Sequence, residues 1–208
     1  MTAILAGALL VGVLALPEMR DALERVMATH MLVQIPLLAV AGALAATGLP
    51  VGWKAQIAAW NRGGVSGTAL ALIASSWWMV PRALDLALAS PAMELTKFAS
   101  LPLLVGAPIA LSWAHLGTIG RGFVIANVLP MWAVVGWLYV VSPMRVCNFY
   151  LIEQQVTAGI GLLGASVALA AVVGALAFRD AVPTVIVDEQ LPELLLSDRA
   201  STAVLASR

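Results

Sequence analysis

The chain is a succession of long apolar stretches separated by short charged connections. A charged side chain at the centre of a bilayer costs about 3 kcal/mol, so the positions where charges stop mark the limits of each stretch. A helix needs about 20 apolar residues to cross a bilayer. Six stretches approach this length and predict six membrane-spanning helices: residues 2–16, 26–49, 63–80, 98–116, 123–141 and 156–178.

The first stretch has a signal peptide as its alternative, but no basic residue precedes it and Leu14-Ala15-Leu16 is a poor cleavage site. Pro36 is expected to bend the second span. Residues 82–100 carry opposite charges three positions apart and predict an interfacial helix between spans 3 and 4, broken near Ser90-Pro91. The connection between spans 2 and 3 is predicted to be a loop at the headgroup level, because it carries Trp53, Lys54, Trp60 and Arg62.

Composition agrees with an all-α, polytopic transmembrane bundle. Of the 208 residues 62% are hydrophobic, with a mean hydropathy of +0.97, which is far from a soluble domain. We expect the bundle at residues 1–178 and an extramembrane tail at 179–208, with a strand at 183–187 and a surface helix at 192–206. The zero net charge and the absence of a basic stripe argue against nucleic-acid binding. A single cysteine excludes an internal disulfide.

The most informative polar positions lie early in the second span. Met27, His30, Met31 and Gln34 follow the i, i+3, i+4, i+7 spacing of one helical face. Two thioethers and an imidazole suit Cu(I) or a haem iron. The alternative is that the methionines only pack and that His30 hydrogen-bonds a neighbouring helix.

Connections 1, 3 and 5 of a six-span chain share one side of the membrane, which we call the odd-loop face. Cys147 lies in the fifth connection and is either a thiolate ligand or a small buried residue. Glu153 and Gln155 begin the sixth span and either form the wall of a site with His30 or mark a helix N-terminus. Most sulfur and imidazole groups are predicted at this face: Met19, Met27, His30, Met31, Met79, Met93, Met144 and Cys147.

His115 is predicted near the opposite face, so a single haem held by both histidines is disfavoured. A haem held by His30 and a methionine stays open as an alternative. The basic residues of the connections divide six to five and favour cytoplasmic termini only weakly. Motifs of nucleophilic catalysis, zinc binding and phosphate binding are absent from the sequence, so an enzyme is not predicted.

Two short segments resemble the CtaG-type family of membrane proteins, assembly factors associated with copper insertion into cytochrome c oxidase. They are Thr29-His30-Met31-Leu32-Val33-Gln34 and Glu153-Gln154-Gln155-Val156-Thr157-Ala158-Gly159. The chain departs from the family pattern at Ile35, where a further histidine is usual, and in having only His115 later and one span fewer. The resemblance implies that His30 is a metal ligand, that Gln34, Glu153 and Gln155 line the same pocket, and that the odd-loop face is periplasmic.

These observations predict a non-enzymatic protein of a bacterial inner membrane that aids copper insertion into, or assembly of, a respiratory oxidase. Copper would bind transiently to His30 with Met27 or Met31 and a sulfur from another helix, Cys147 being one candidate. One alternative is a subunit of a respiratory complex that binds haem b or quinone, with His115 as a further cofactor residue. Another is an accessory subunit without a cofactor, whose histidines only hydrogen-bond and whose helices dock other membrane subunits.

Overall fold

The computed structural model describes residues 1–181, and within them all regular elements are helices, without a strand. Residues 1–170 form one compact unit, and residues 171–181 continue its last helix. The nine helices of the described residues are α1 (Thr2–Ala15), α2 (Pro17–Glu24), α3 (Met27–Thr47), α4 (Val51–Trp60), α5 (Val65–Met79), α6 (Pro81–Ala89), α7 (Pro91–Trp113), α8 (Thr118–Val141) and α9 (Ile152–Ala181). The predicted all-α bundle is confirmed.

Four helices, α3, α7, α8 and α9, are long and apolar enough to cross a membrane. Two bent pairs, α1 with α2 and α5 with α6, pass the same test together and would raise the number of spans to six. Each bend precedes a proline at the start of the second helix, Pro17 at 69° and Pro81 at 73°. Proline suits the first turn of a helix but forces the preceding residue into an extended conformation, so the chain turns there.

Two local predictions were wrong. The connection between spans 2 and 3 is the helix α4 rather than a loop, although Trp53 and Trp60 on it are exposed as expected of interfacial side chains. The predicted break at Ser90 is present, but residues 91–100 are the first turns of the long helix α7 rather than part of an interfacial helix. The strand at 183–187 and the helix at 192–206 fall outside the described residues.

Helices α3 and α7 both contain a wide π-helical turn, at His30–Gln34 and at Leu101–Gly106. Pro36 follows the first turn and Pro102 lies in the second, where each removes a backbone donor from the regular ladder. The two helices approach closely where the second of these turns packs against α3. Any side chain at Gly42 would overlap the backbone of Pro102, and one at Gly106 would overlap the carbonyl of Ala39. This backbone contact fixes α7 against α3 and sets the spacing between their polar residues.

Candidate functional site

A cluster of buried polar side chains joins four parts of the chain at one end of the bundle. We call it the Lys97 cluster; it comprises Glu24 at the end of α2, His30 and Gln34 on α3, Lys97 on α7 and Tyr150 just before α9. Lys97, His30 and Gln34 have no solvent-exposed surface. Lys97 lies six residues into α7, about 9 Å along the helix axis from its start. An ionisable group at that depth needs partners within the protein.

The Lys97 ammonium has three acceptors, one for each of its donors. Nζ contacts Glu24 Oε1 in a short ion pair, Gln34 Oε1 at 3.1 Å and His30 Nε2 at 3.2 Å. The Gln34 amide also donates to Glu24 Oε1 at 3.0 Å. The Glu24 side chain is only 11% exposed, so the positive and negative charges balance inside a region that excludes most water.

The hydrogen bonds of His30 assign its tautomer. Tyr150 donates its hydroxyl proton to the Glu24 carbonyl at 2.9 Å, so its oxygen is free to accept from His30 Nδ1 at 2.8 Å. His30 Nδ1 therefore carries the proton, and Nε2 offers its lone pair to the ammonium of Lys97. Burial and the nearby charge of Glu24 raise the pKa of the Tyr150 phenol, which keeps this donor protonated.

The soft side chains predicted beside His30 are buried with it. Met27 is 0% exposed and Met31 is 2% exposed, and both belong to the hydrophobic core. Met31 also lines an apolar cavity of about 420 Å³ between α3, α5, α7, α8 and α9. The predicted face of α3 therefore lies inside the bundle, with one thioether adjacent in sequence to His30 and another three residues before it.

A second ion pair lies beside the cluster. Arg20 on α2 contacts Glu94 on α7 at 3.1 Å, one helical turn before Lys97. Glu94 and Lys97 have the three-residue spacing of an ion pair along one helix face, but both residues pair with α2 instead. Glu94 and Arg20 also line a shallow cavity of about 210 Å³, which places partly exposed charges next to the buried ones.

Gln155 and Cys147 belong to a separate network that holds the loop between α8 and α9. Gln155 accepts from the backbone N–H of Val146 at 2.8 Å and donates to the carbonyl of Tyr139 at 3.2 Å. Asp85 on α6 accepts from the backbone N–H of Asn148 at 2.8 and 3.0 Å and from its side-chain amide at 2.9 Å. These bonds give partners to partly buried backbone N–H groups of the loop and attach it to α6 and α9.

Cys147 lies buried within this loop. Burial, with a smaller effect from the charge of Asp85, raises the pKa of its thiol to about 11. Its sulfur is 4.0 Å from the hydroxyl of Tyr139 and 3.9 Å from the carbonyl of Pro81. A thiol in this environment stays protonated at neutral pH, and protonated thiols are poor metal ligands.

The structure does not bring the remaining predicted residues into the Lys97 cluster. Glu153 is exposed in the first turn of α9. His115 is exposed near the end of α7 and donates Nδ1–H to the carbonyl of Leu111 at 3.0 Å. Among residues 1–181, no three histidine, cysteine or carboxylate side chains converge as a metal site.

Sequence reasoning missed Glu24, Lys97 and Tyr150, three of the five residues of the Lys97 cluster. A signal for Lys97 was present, since a lysine several residues inside an apolar helix requires a buried anion. Its partner could not be read from spacing, because Glu24 lies 73 positions away.

Comparison with protein-family models, with curated proteins and with solved structures finds no match to this chain. The Lys97 cluster and the buried soft donors beside it are therefore the features from which a function can be inferred.

Proposed function

We propose that this chain is a non-enzymatic, multi-pass protein of a bacterial inner membrane that carries Cu(I) transiently during assembly of a respiratory oxidase. The observation that supports it is the position of His30. Its imidazole is buried at one end of the bundle, on the same helical face as the buried thioethers of Met27 and Met31. Imidazole and thioether are donors that accept Cu(I). The resemblance to the CtaG-type family provides the functional context.

The donors fit a soft monovalent cation in type. His30 Nε2 is the lone pair available to a metal, because Nδ1 bonds Tyr150, and that lone pair faces Lys97 in this structure. Cu(I) as cargo would therefore be held by His30 with Met27 or Met31. Cys147, Gln155 and Glu153 are not part of this donor set, because the first two hold the loop before α9 and the third is exposed.

A b-type haem fits less well. Neither ring nitrogen of His30 faces an open space large enough for a porphyrin, since one contacts Tyr150 and the other Lys97. His115 is exposed just after the end of α7 and is not part of the Lys97 cluster. The purified protein is expected to lack a Soret band that shifts on reduction, and such a band would favour the haem alternative.

The second candidate function is a cofactor-free accessory subunit of a larger membrane complex. Its specific support is that both ring nitrogens of His30 already have partners within the chain. In that case the cluster only ties α2, α3 and α7 together. Copper binding separates the two candidates.

The test is the amount of Cu(I) retained by the detergent-purified protein after loading under reducing conditions. His30→Ala is expected to lose the bound ion, because it removes the imidazole donor. His115→Ala is the matched control and should retain it, since His115 is exposed and bonds only its own helix. Replacing Met27 and Met31 together by Leu preserves the core volume and should weaken retention. Absence of copper from the wild-type protein would contradict the proposal and favour the accessory subunit.

A further inference from the structure

A second polar site lies at the opposite end of the bundle from the Lys97 cluster, where α4 meets the last turn of α7. Asn61, the residue after α4, donates its side-chain amide to Ser112 Oγ at 2.8 Å. Its side-chain oxygen accepts the backbone N–H of Gly67, also at 2.8 Å. Asn61 and Ser112 are buried. Because these groups are bonded to one another, α4 has a fixed position against α7.

A cavity of about 230 Å³ beside α4 is lined by two basic side chains, Lys54 and His115. Lys54 Nζ donates to the carbonyl of Thr47 at 2.7 Å. His115 Nδ1 donates to the carbonyl of Leu111 at 3.0 Å. These bonds use one of the three ammonium donors and leave the lone pair of Nε2 in the neutral imidazole. A ligand in this basic cavity can therefore pair an anionic group with Lys54 and donate a hydroxyl proton to His115.

The charges of the sequence are distributed unevenly between the two sides of the membrane. The acidic residues within residues 1–170 all lie in or beside connections 1, 3 and 5: Glu18, Asp21, Glu24, Asp85, Glu94 and Glu153. Residues 48–64 and 114–122, which form connections 2 and 4 and the first turn of α8, carry only basic charges, at Lys54, Arg62 and Arg121. In the described part of the chain, none of these three residues forms an ion pair. This side therefore attracts anions, such as the phosphates of acidic lipids.

Neighbouring features place the basic cavity at the level of lipid headgroups. Trp53 and Trp60 on α4 are exposed, and tryptophan favours the interface between membrane and water. Trp113 is also exposed and lies against the guanidinium of Arg121. An apolar cavity of about 420 Å³ between α1, α3 and α7 shares the wall residue Ala46 with the basic cavity. It gives a hydrocarbon chain a place next to the basic side chains.

We infer that this end of the bundle binds one anionic phospholipid whose headgroup carries hydroxyls, of which phosphatidylglycerol is the simplest. Its phosphate pairs with the ammonium of Lys54, a headgroup hydroxyl donates to His115 Nε2, and an acyl chain occupies the apolar cavity at Ala46. A free phosphate would satisfy only the first of these three contacts. None of the Cu(I) donors takes part, so the lipid site is separate from the proposed copper site.

The experiment counts the lipids bound to the full-length protein by native mass spectrometry after delipidation in detergent. Phosphatidylglycerol is compared with phosphatidylcholine of the same acyl chains, which has no net charge. The wild-type protein should bind one phosphatidylglycerol with an affinity about fivefold higher or more. Lys54→Gln should lose this preference. Arg62→Gln is the matched control and should keep it, because Arg62 is exposed in the same connection but does not line the basic cavity.

Two further variants separate binding in the cavity from a diffuse attraction by charge. Ala58→Leu keeps every charge but fills part of the basic cavity, so it should bind phosphatidylglycerol more weakly. His115→Ala should weaken the binding of phosphatidylglycerol but not of phosphatidylmethanol, which has the same phosphodiester charge without hydroxyls.

Equal affinity of the wild-type protein for phosphatidylglycerol and phosphatidylcholine would overturn the inference. Equal losses in Lys54→Gln and Arg62→Gln would also overturn it, because that pattern indicates attraction by net charge alone. Displacement of the lipid by glycerol 3-phosphate at equal concentration would contradict a role for the acyl chain. If Lys54→Gln does not fold, Ala58→Leu and the phosphatidylmethanol comparison decide. Copper retention is not part of these measurements, so the lipid site and the proposed function can fail independently.

Discussion

Replacement of Asp85 by Ala tests whether the loop before α9 is held by one carboxylate. Asp85 is 7% exposed and accepts the backbone N–H of Asn148 at 2.8 and 3.0 Å and its side-chain amide at 2.9 Å. Alanine removes these partly buried hydrogen bonds to a carboxylate, and a hydrogen bond to a charged group is worth about 1.5–3 kcal/mol. Because the bonds link α6 to the loop, we expect the loss to appear as easier opening of the loop rather than of the whole bundle.

Cys147 reports this opening, because it is the only cysteine of the chain and is buried in the same loop. The assay is the rate of N-ethylmaleimide labelling in detergent at pH 8. In the closed loop, with a thiol pKa of about 11, about one Cys147 in a thousand is ionised at this pH, so labelling of the wild-type protein depends on opening of the loop. Destabilising the closed loop by about 2 kcal/mol should raise the rate about 30-fold.

Two control variants test whether a change in the labelling rate comes from opening of the loop at Cys147. Asp21→Ala removes an exposed carboxylate and should label as slowly as the wild type; Cys147→Ser should not label. The rate should rise with pH in both proteins, because the thiolate is the reactive form, so the comparison is made at one pH. A rate for Asp85→Ala within about threefold of the wild-type rate would refute the reasoning that this carboxylate holds the loop.

Three further expectations concern stability. Tyr150→Phe removes two buried hydrogen bonds of one hydroxyl and should lower stability by about 1–3 kcal/mol in thermal unfolding; an unchanged midpoint would contradict it. Gly42→Ala places a methyl group against the backbone of Pro102 and should also destabilise by about 1–3 kcal/mol, whereas Gly164→Ala meets no atom within 4 Å and should not. Equal midpoints for the two would be evidence against the close contact of α3 and α7. Folding raises the thiol pKa of Cys147 from 9.0 to about 11. The free energy of unfolding should therefore be unaffected by this thiol below pH 9 and should fall as pH rises from 9 toward 11, because the unfolded state ionises first. Cys147→Ser should show a smaller fall over the same pH range.

The helices could be predicted from the sequence because charges and prolines interrupt the apolar stretches where the helices end. The prediction failed at residues 91–100 for a physical reason. Glu94 and Lys97 have the spacing of a surface ion pair, yet each is neutralised by a residue of α2, Arg20 or Glu24. Local spacing gives the same pattern for a helix on the membrane surface and for one whose charges are paired inside a bundle.

The candidate site was predictable only on one helix. The 27, 30, 31, 34 spacing identified the buried face of α3, because a helical period determines which side chains share a face. The spacing carried no information about which other helix packs against this face. Gln155 illustrates the same limit, since a glutamine at the start of a span can line a pocket or satisfy backbone groups, and here it bonds the loop at Val146. Such choices depend on tertiary contacts.

The two polar networks differ in the groups that they bond, since one bonds the backbone of a loop and the other joins side chains of separate helices. Asp85 and Gln155 bond partly buried backbone groups of an irregular loop, which has no regular ladder of its own, so folding alone accounts for them. Lys97 bonds only side chains, inside a regular helix whose own backbone needs no help. A buried ion pair usually stabilises a protein no more than apolar side chains of the same volume. Stability alone therefore does not account for an ammonium at this position.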